Sequence, residues 1–252
     1  MPRELPDPGY ASDDGSPDPA VRALLAAAAD QPPGDPADPR REHELVALLA
    51  AARLLVPVMA TGPQAGPEAG RQEVTAMALP LLLAADGRRA LPVFTGSDAL
   101  TAWRADARPV PVSGQRAAYS ALAEGHDALL LDVAGPTPYL LTGPALRALA
   151  EGRQLLFPRD DPDVLAALAA AVAADPAVQA AYAAPAERAD LLLTLVLSRD
   201  AEPVTTARAV AERLRDNVVL RARLGRGVDI AVLTPGGTPA GQLLHRRGDA
   251  NP

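Results

Sequence analysis

Apolar residues recur along the chain with two spacings, and these spacings predict its helices and strands. Over residues 42–52 leucines and alanines return every three or four positions, the spacing of an amphipathic helix. The next run, RLLVPVM at residues 53–59, is short and rich in branched side chains, as in a strand. Apolar runs at 73–84 and 89–94 flank Asp86-Gly87, a hairpin signal, and predict two antiparallel strands.

The same signals continue to residue 156. They predict a helix over 97–104 capped by Ser97, a strand over 108–112, a helix over 113–124 closed by Gly125, paired strands over 128–131 and 139–142, and a helix from Pro144 to Gly152. Helices interleaved with hairpins and crossovers predict an α+β fold with a mixed sheet.

A polar, proline-bearing stretch at residues 157–163 predicts a boundary between two domains. The elements predicted beyond it are a helix over 163–174, strands over 178–183 and 190–198, a long helix over 203–223 and a strand over 228–233. Residues 157–234 therefore form a second small α-β-β-α-β domain after a first domain at 41–156. The closing residues 235–252 are predicted to be disordered.

The first 40 residues differ from the rest in composition. They hold nine of the 27 prolines, and residues 1–39 carry eight acidic groups against two arginines, so most of the net charge of −7 lies there. Such a segment predicts a disordered acidic tail over residues 1–40. A short helix is compatible only with residues 18–30, with Asp18 as N-cap and Pro19 in the first turn.

Composition removes several kinds of chemistry. The chain has no cysteine and no lysine, which excludes thiolate nucleophiles, Schiff-base amines, phosphate-binding lysines and thiolate metal sites. Its three histidines share no helical spacing, so we expect neither a metal site nor a cofactor. All 24 basic residues are arginine, as in a GC-rich genome, and we expect many of them at ordinary surface positions.

Only one stretch brings a hydroxyl, an imidazole and a carboxylate close together in sequence. Ser120, His126 and Asp127 lie there, but Ser120 falls in a predicted helix and no G-x-S-x-G motif exists in the chain. We expect a polar turn at this place and no catalytic residues. Asp132, at the end of a predicted strand, either forms the following turn or contacts a ligand.

The charge pattern gives no reason to expect nucleic acid or membrane partners. Outside the tail the charges nearly balance, and the predicted 203–223 helix turns most of its arginines to solvent if Val210, Leu214 and Val218 form its core face. The start MPRELPDPGY lacks the basic and apolar regions of a secretory leader. We therefore expect a cytoplasmic protein.

Two aromatic residues are candidates for contact with a partner protein. Trp103, the only tryptophan, follows Phe94 and the PVFTGS motif, and it is either an interface anchor or the largest core residue of its domain. Tyr10 lies in an acidic segment where an aromatic residue has little purpose unless it docks. The candidate contacts are Tyr10, Asp13, Asp14, Phe94, Trp103 and Asp132.

Several blocks together resemble a known family. They are PDPGYASDDGSPDP, ARLLVPVMA, DGRRALPVFTGSDALTAW, LAEGHDALLLDVAGPTPYLLTGPALRALAEGR, ADPAVQAAY and GVDIAVL. In this order the chain resembles the SseB family, named for enhanced serine sensitivity, in its actinobacterial form. The resemblance implies an SseB N-terminal domain followed by an SseB C-terminal domain in a cytoplasmic α+β protein, and it brings no catalytic residues.

Three functions remain open at this point. The first is a non-catalytic adaptor or regulator that acts by binding another protein through the acidic segment and the surface near Trp103. The second is a small-molecule sensor or enzyme linked to amino-acid or sulfur metabolism, with Asp132 in a cleft between the domains. The third is an immunity or chaperone-like protein for one dedicated partner.

Overall fold

A computed structural model of the chain describes residues 10, 13–29, 39–60, 77–78, 80–83, 87–233 and 237–248. These residues form an α+β fold, as the sequence predicts. Their contacts divide them into two compact units, unit 1 up to Leu155 and unit 2 from Leu156 onward. Each unit has its own apolar core.

Unit 1 combines helices with short strands. Its helices are α1 (Pro19–Ala29), α2 (Pro39–Ala51), α3 (Ser97–Trp103), α4 (Gly114–Ala123) and α5 (Gly143–Glu151). Its strands are β1 (Arg53–Ala60), β2 (Met77–Ala78), β3 (Leu82–Leu83), β4 (Arg89–Val93), β5 (Arg108–Ser113), β6 (Ala128–Leu131) and β7 (Tyr139–Thr142).

These strands form two sheets, ordered β2-β1-β5 and β3-β4-β6-β7. β4 and β6 are parallel, so Thr95 and Asp132 follow them at the same edge of the sheet. The two sheets are joined where Leu55 and Phe94 exchange backbone hydrogen bonds of 2.8 and 2.9 Å. This connection fixes the position of the stretch that follows β4.

The predicted hairpins are present, although one apolar run is divided. β6 and β7 pair antiparallel, and β3 pairs antiparallel with β4. The run at 73–84 does not form one strand in its described part, because β2 pairs with β1 whereas β3 pairs with β4. Pro80 lies between the two strands and lacks the N–H that a continuous ladder would need.

Most predicted helix ends are confirmed, with one correction at α3. Ser113 caps α4 through its side chain, and Gly152 ends α5 in the left-handed conformation at φ +65°. Ser97 was predicted as the cap of α3, but Gly96 occupies that position and makes no side-chain cap. The backbone N–H of Ser97 instead donates to the Gly15 carbonyl at 2.8 Å.

The helix predicted inside the acidic segment is present as α1. The Asp18 carboxylate caps it by accepting the N–H groups of Ala20 and Val21 at 2.8 and 3.2 Å. Val21 and Leu25 lie in the core of unit 1 with 1% and 2% of their surface exposed. The predicted disorder therefore does not extend to residues 13–29, because α1 has an apolar face to bury. Residues 1–9, 11–12 and 30–38 lie outside the described residues.

Unit 2 is a four-stranded sheet with three helices. Its helices are α6 (Pro162–Ala173), α7 (Pro203–Asp216) and α8 (Val218–Arg223), and its strands are β8 (Val178–Ala184), β9 (Leu191–Leu197), β10 (Val228–Val232) and β11 (Gln242–Arg246). The sheet order is β10-β9-β8-β11, in which only β9 and β10 are parallel.

The prediction of a single long helix over residues 203–223 is wrong. The helix is divided at Asn217, whose side chain accepts the N–H groups of Val219 and Leu220 at 2.9 and 3.2 Å and caps a new helix. Val210 and Leu214 are buried as expected, but Val218 is 67% exposed because it begins α8.

The disordered tail predicted over residues 235–252 is also wrong in its described middle part. β11 pairs antiparallel with β8. The Arg247 guanidinium then donates to the carbonyls of Ala173, Asp175 and Val178 at 2.9 to 3.3 Å. These carbonyls at and after the end of α6 give the tail a docking place that composition does not reveal. Residues 234–236 and 249–252 lie outside the described residues.

Candidate partner-binding surface

Most of the predicted contact residues are connected through one short stretch, residues 94–97, which we call the β4–α3 junction. It leaves the sheet at the edge where parallel β4 and β6 both end. Phe94 belongs to it, and Asp132 binds Thr95. The acidic segment, residues 13–18, accepts the Ser97 N–H directly and is linked to Thr95 through Arg53. Residues distant in sequence are therefore held around a single site.

Asp132 supports the junction from inside. Its two carboxylate oxygens accept the Thr95 N–H at 2.8 Å and the Thr95 hydroxyl at 2.7 Å, and the residue is only 8% exposed. It adopts φ +48°, which aspartate tolerates better than most residues, and its carbonyl accepts the Gly135 N–H. The prediction of Asp132 as a partner contact is corrected, because its carboxylate is buried against Thr95.

The two predicted aromatic residues of the junction differ in exposure. Phe94 is fully buried with Leu55 and Leu100, so its prediction as a partner contact is also corrected. Trp103 is half-buried, with its ring centroid 5.4 Å from that of Phe94 and the planes tilted by 34°. Trp103 is therefore neither fully exposed nor a fully buried core residue, because it packs on the small core and leaves part of its surface to solvent.

Arg53 joins the acidic segment to the junction, and we call this set of contacts the Arg53 clamp. Its Nε lies 3.0 Å from a carboxylate oxygen of Asp13, while its two terminal nitrogens donate to the carbonyls of Thr95 at 2.9 Å and Ser16 at 2.6 Å. Only 11% of its side chain is exposed. The planar guanidinium offers five donors, and here they face three acceptors from two parts of the chain.

The backbone of the segment is fitted closely to the junction. Gly15 has φ +79°, so a residue with a side chain would be strained there, and its Cβ would lie 2.2 Å from the Ser97 hydroxyl oxygen, which would have to rotate away. The Asp13 carboxylate accepts the Gly15 N–H, and the exposed Asp14 carboxylate accepts the Ser16 N–H at 2.8 Å. Hydrogen bonds from the backbone and side chain of Ser16 to the Asp14 carboxylate lower the pKa of Asp14.

The outer side of this arrangement is acidic. Asp14, Asp18 and Asp98 are exposed, and Asp98 pairs with Arg22 of α1 at 2.6 Å. Tyr10 is half-buried, and its carbonyl accepts the Asp13 N–H at 3.1 Å. We call Asp14, Asp18, Asp98 and Trp103 the junction surface.

Ser120, His126 and Asp127 make separate contacts. The His126 Nδ1 lies 3.2 Å from the Ala121 carbonyl, which only accepts, so this nitrogen carries the hydrogen. The Asp127 carboxylate accepts the Arg89 backbone N–H at 2.9 Å, and Ser120 lies within α4. The sequence neighbours of a possible triad thus serve the backbone, in line with the polar turn expected there.

A polar cavity of about 410 Å³ lies in unit 1 beside these residues. It is lined by Arg88, Leu122, Gly125, His126, Asp127, Thr142, Gly143, Leu146 and Arg147. Thr142 is the N-cap residue of α5 and makes no side-chain cap. No local motif marks this cavity in the sequence, because its walls come from the β4, α4, β6 and α5 regions.

The sequence also does not predict a half-buried pair of titratable groups, Glu42 and Tyr139. The Tyr139 hydroxyl of β7 donates to the Glu42 carboxylate of α2 at 3.2 Å, across 97 positions of the sequence. Burial raises the pKa of Glu42, and burial together with the Glu42 charge raises the pKa of Tyr139. Their sequence separation hides this contact from any local reading.

Among the described residues, no cluster of three or more histidine and acidic side chains is arranged to hold a metal ion. No described helix has the length and apolar character needed to cross a membrane.

Comparison with known proteins gives a family and no close relative. No curated protein and no solved structure matches the chain. The family model described as SseB protein N-terminal domain matches residues 21–148, a range that begins in α1 and ends in α5. The match covers half of the 252 residues and includes the whole β4–α3 junction. The chain therefore belongs to the SseB family.

Proposed function

We propose that this protein acts by binding another protein, as a non-catalytic adaptor or regulator, and that the junction surface is its contact region. The observation that carries the proposal is the Arg53 clamp. It holds residues 13–16 of the acidic segment in one conformation against Thr95 of the β4–α3 junction, from which α3 leads to the half-buried Trp103.

The cost of ordering this segment argues against a mere spacer. Fixing each backbone residue costs about 1–2 kcal/mol of conformational entropy, and residues 13–16 are polar or glycine and bury little apolar surface in return. Their hydrogen bonds leave the Asp14 carboxylate toward solvent. Carboxylates fixed at the start of α3, with a half-buried tryptophan at its end, suit a partner that presents basic residues around an apolar side chain.

The absence of catalysis is part of the proposal. The polar groups that sequence analysis weighed for chemistry serve the fold: Asp132 holds Thr95, Asp127 holds the Arg89 backbone, and the His126 ring binds a helix carbonyl. Asp132 uses both carboxylate oxygens on Thr95, and Asp127 and His126 each hold a backbone group, which favours structural roles for these residues.

We further propose that residues 157–234 correspond to the SseB C-terminal domain of the actinobacterial type and that the protein is cytoplasmic. The order of the sequence blocks supports this, since ADPAVQAAY spans the end of α6 and β8 while GVDIAVL contains β10. The exclusive use of arginine as the basic residue is consistent with a GC-rich source.

The polar cavity favours one second candidate, a sensor of a small polar molecule. Its volume of about 410 Å³ lies within the usual range of ligand sites, and it combines arginine, histidine and aspartate side chains. A thermal-shift panel of small carboxylates, phosphates and amino acids tests this, because a ligand specific for the folded state raises Tm. Arg147→Gln should abolish the shift, whereas Arg116→Gln, outside the cavity, should not.

The adaptor proposal is tested in two steps with the full chain. The immobilised protein first captures partners from native lysate, and the captured protein is then purified and titrated while Trp103 fluorescence is followed. Because Trp103 is the only tryptophan, a partner that covers it should change its emission, provided the partner's own tryptophans are subtracted.

Charge reversal supplies the specific readout. Asp14→Arg should weaken binding about tenfold or more, which corresponds to about 1.4 kcal/mol, whereas Glu124→Arg at the exposed end of α4 should leave it unchanged. The proposal fails if no protein is captured, or if the captured partner binds both variants equally and leaves the Trp103 emission unaltered.

A further inference from the structure

Unit 2 contains an apolar cavity of about 300 Å³ between α7, α8 and the strand β10. Leu214, Leu220, Leu224, Val228 and Ile230 form most of its wall. Two arginines also line it, Arg215 from the end of α7 and Arg221 from α8. The cavity thus joins an apolar interior to positive charge, and its volume suits one large side chain.

The cavity lies at an edge of the sheet. In the part of the chain that the structure describes, β10 is an outer strand of this sheet and pairs only with β9. Gly227 accepts a hydrogen bond from Asp190, and Leu233 donates one to Leu195, so these two odd-numbered residues face the β9 side. In a parallel pair the N–H and C=O of one residue point to the same side. The even-numbered residues Val228, Ile230 and Val232 therefore direct their backbone groups to the outer edge.

The same residues carry both features. Val228 and Ile230 turn their backbone groups to the outer edge while their side chains line the cavity. A strand added at this edge would find hydrogen-bonding groups and, directly beside them, an apolar hole for one of its side chains.

The two edges of this sheet differ in their protection. The opposite edge, β11, is interrupted by a bulge between Leu243 and His245 and carries Arg246, features that discourage pairing with another chain. β10 keeps a regular register over all five residues and has one charge, Asp229, with no proline. An edge left regular beside a cavity is what strand addition requires.

We propose that this edge and cavity bind an extended segment of a partner protein by strand addition to β10. The segment would insert one large apolar side chain among Leu214, Leu220 and Ile230. An acidic residue next to it would lie near Arg215 and Arg221, because the charge at the cavity is positive. This site lies in unit 2 and does not depend on the junction surface.

A small anion with an apolar chain would meet the same cavity chemistry but would not use the strand edge. The two occupants are separated by backbone hydrogen bonding. A peptide relies on the N–H and C=O groups of Val228 and Ile230, whereas a fatty acid needs only the apolar wall and an arginine.

The probe is a set of fluorescein-labelled eight-residue peptides with alternating threonine and valine, one central leucine, phenylalanine or tryptophan, and a glutamate on either side. Each binding peptide is then made in two N-methylated forms, with the methyl groups on one or the other alternate set of amides. Decanoate is the small-molecule probe. Fluorescence anisotropy with the full chain measures the binding of every peptide.

One N-methylated form should bind at least about tenfold more weakly than the other, because only one set of amides faces β10. Arg215→Glu should weaken peptide binding about tenfold, whereas Arg208→Glu on the same helix, outside the cavity, should not. Ala211→Phe should fill the cavity and compete with the apolar side chain, and circular dichroism verifies that each variant is folded.

Two results would overturn the inference. Either no peptide of the set binds, whether or not decanoate does, or the two N-methylated forms bind equally. Because none of these measurements involves Asp14 or Trp103, their failure leaves the adaptor proposal for unit 1 untouched, and the reverse also holds.

Discussion

Each unit contains an arginine that joins distant parts of the chain, but the two arginines hold different things. In unit 1 the Arg53 clamp holds a short appended segment to the β4–α3 junction. In unit 2 Arg223 donates to both carboxylate oxygens of Asp161 at 2.8 Å, and Asp161 is also the N-cap of α6. The Arg53 clamp attaches a short exposed segment to unit 1, whereas the Arg223–Asp161 pair joins two helices, α8 and α6, within unit 2.

Burial explains this difference. The Asp161 side chain is 3% exposed, whereas that of Asp13, the carboxylate held by Arg53, is 21% exposed. A charge left without its partner in a buried place is strongly destabilising, while a charge that reaches water recovers much of its solvation. We therefore expect loss of the Arg223–Asp161 pair to destabilise unit 2, whereas loss of the Arg53 clamp should mainly release residues 13–16 from the β4–α3 junction.

The largest expected effect comes from Asp161→Ala. It removes the cap of α6 and leaves the Arg223 guanidinium with only Asp163, at 2.6 Å, as its remaining acidic partner. We expect a loss of about 3–4 kcal/mol in the free energy of unfolding of unit 2, from the lost helix cap and the two lost charge-assisted hydrogen bonds, measured by urea denaturation followed by circular dichroism.

Asp160→Ala is the matched control, because Asp160 is exposed and its contact with Arg159 is 3.4 Å. It should change the free energy of unfolding by less than about 0.5 kcal/mol. Equal stabilities for Asp161→Ala and Asp160→Ala would contradict the view that the Arg223 pair belongs to the fold.

Asp132→Ala tests whether the junction itself is as firmly built as the Arg223 pair. It would leave the buried Thr95 N–H and hydroxyl without their acceptors, and we expect a loss of about 2–3 kcal/mol. Trp103 fluorescence during urea denaturation reports unit 1 alone. Asp132→Asn keeps an acceptor oxygen and tolerates the positive φ, so it should retain more stability than Asp132→Ala. The opposite order would show that the carboxylate does not hold Thr95.

Arg53→Met asks whether the acidic segment can be released without unfolding unit 1. The methionine keeps apolar bulk but has no donors, and we expect a loss of about 1–2 kcal/mol. Amide hydrogen exchange gives the sharper readout, because the Ser97 N–H bonds the Gly15 carbonyl and should lose protection while β4 and β6 keep theirs.

A second variant reaches the same state by another route. Gly15→Ala cannot adopt φ +79° without strain and would displace the Ser97 hydroxyl, so it should expose the same Ser97 amide while Arg53 remains. Arg116→Met, on the exposed face of α4, is the control and should leave exchange unchanged. Full protection of Ser97 in both Arg53→Met and Gly15→Ala would show that the clamp does not hold the segment.

The sequence predicts local elements well because their signals lie within a few residues. The α2 helix, β1, the β6–β7 hairpin and the Gly152 helix end follow from spacing and turn residues that act on their own neighbours. Even the helix α1 is predicted within a segment whose composition otherwise indicates disorder.

The sequence fails where a contact spans the chain or where two signals compete. Arg53 reaches Thr95 across 42 positions, and nothing near Arg53 distinguishes it from a surface arginine. At Asn217 the apolar spacing continues into Val218 and predicts an unbroken helix. The structure instead follows the capping tendency of Asn217, which ends one helix and begins the next. The strand β11 likewise depends on the free edge of β8 and not on its own composition.

The smallest expected effect concerns the half-buried Glu42–Tyr139 pair, which tests how partial burial acts on a titratable group in unit 1. Burial raises the pKa of Glu42 above its ordinary value of 4.5, so folding favours the protonated carboxyl. This contribution to stability is fully present below the unfolded pKa and is lost as pH rises through the folded pKa. Glu42→Gln cannot ionise and should therefore gain stability relative to the native chain as pH rises from 4 to 7, by less than about 1 kcal/mol because the site is partly open to water. Thermal melts of both proteins at the two pH values, followed by Trp103 fluorescence, measure this difference.

Glu44→Gln, at an exposed position of the same helix, should show no such trend. If the Glu42→Gln advantage instead shrinks toward pH 7, the ionised carboxylate is stabilised by Tyr139 more than burial penalises it, and unit 1 then holds a buried charge through a hydrogen bond much as unit 2 holds Asp161.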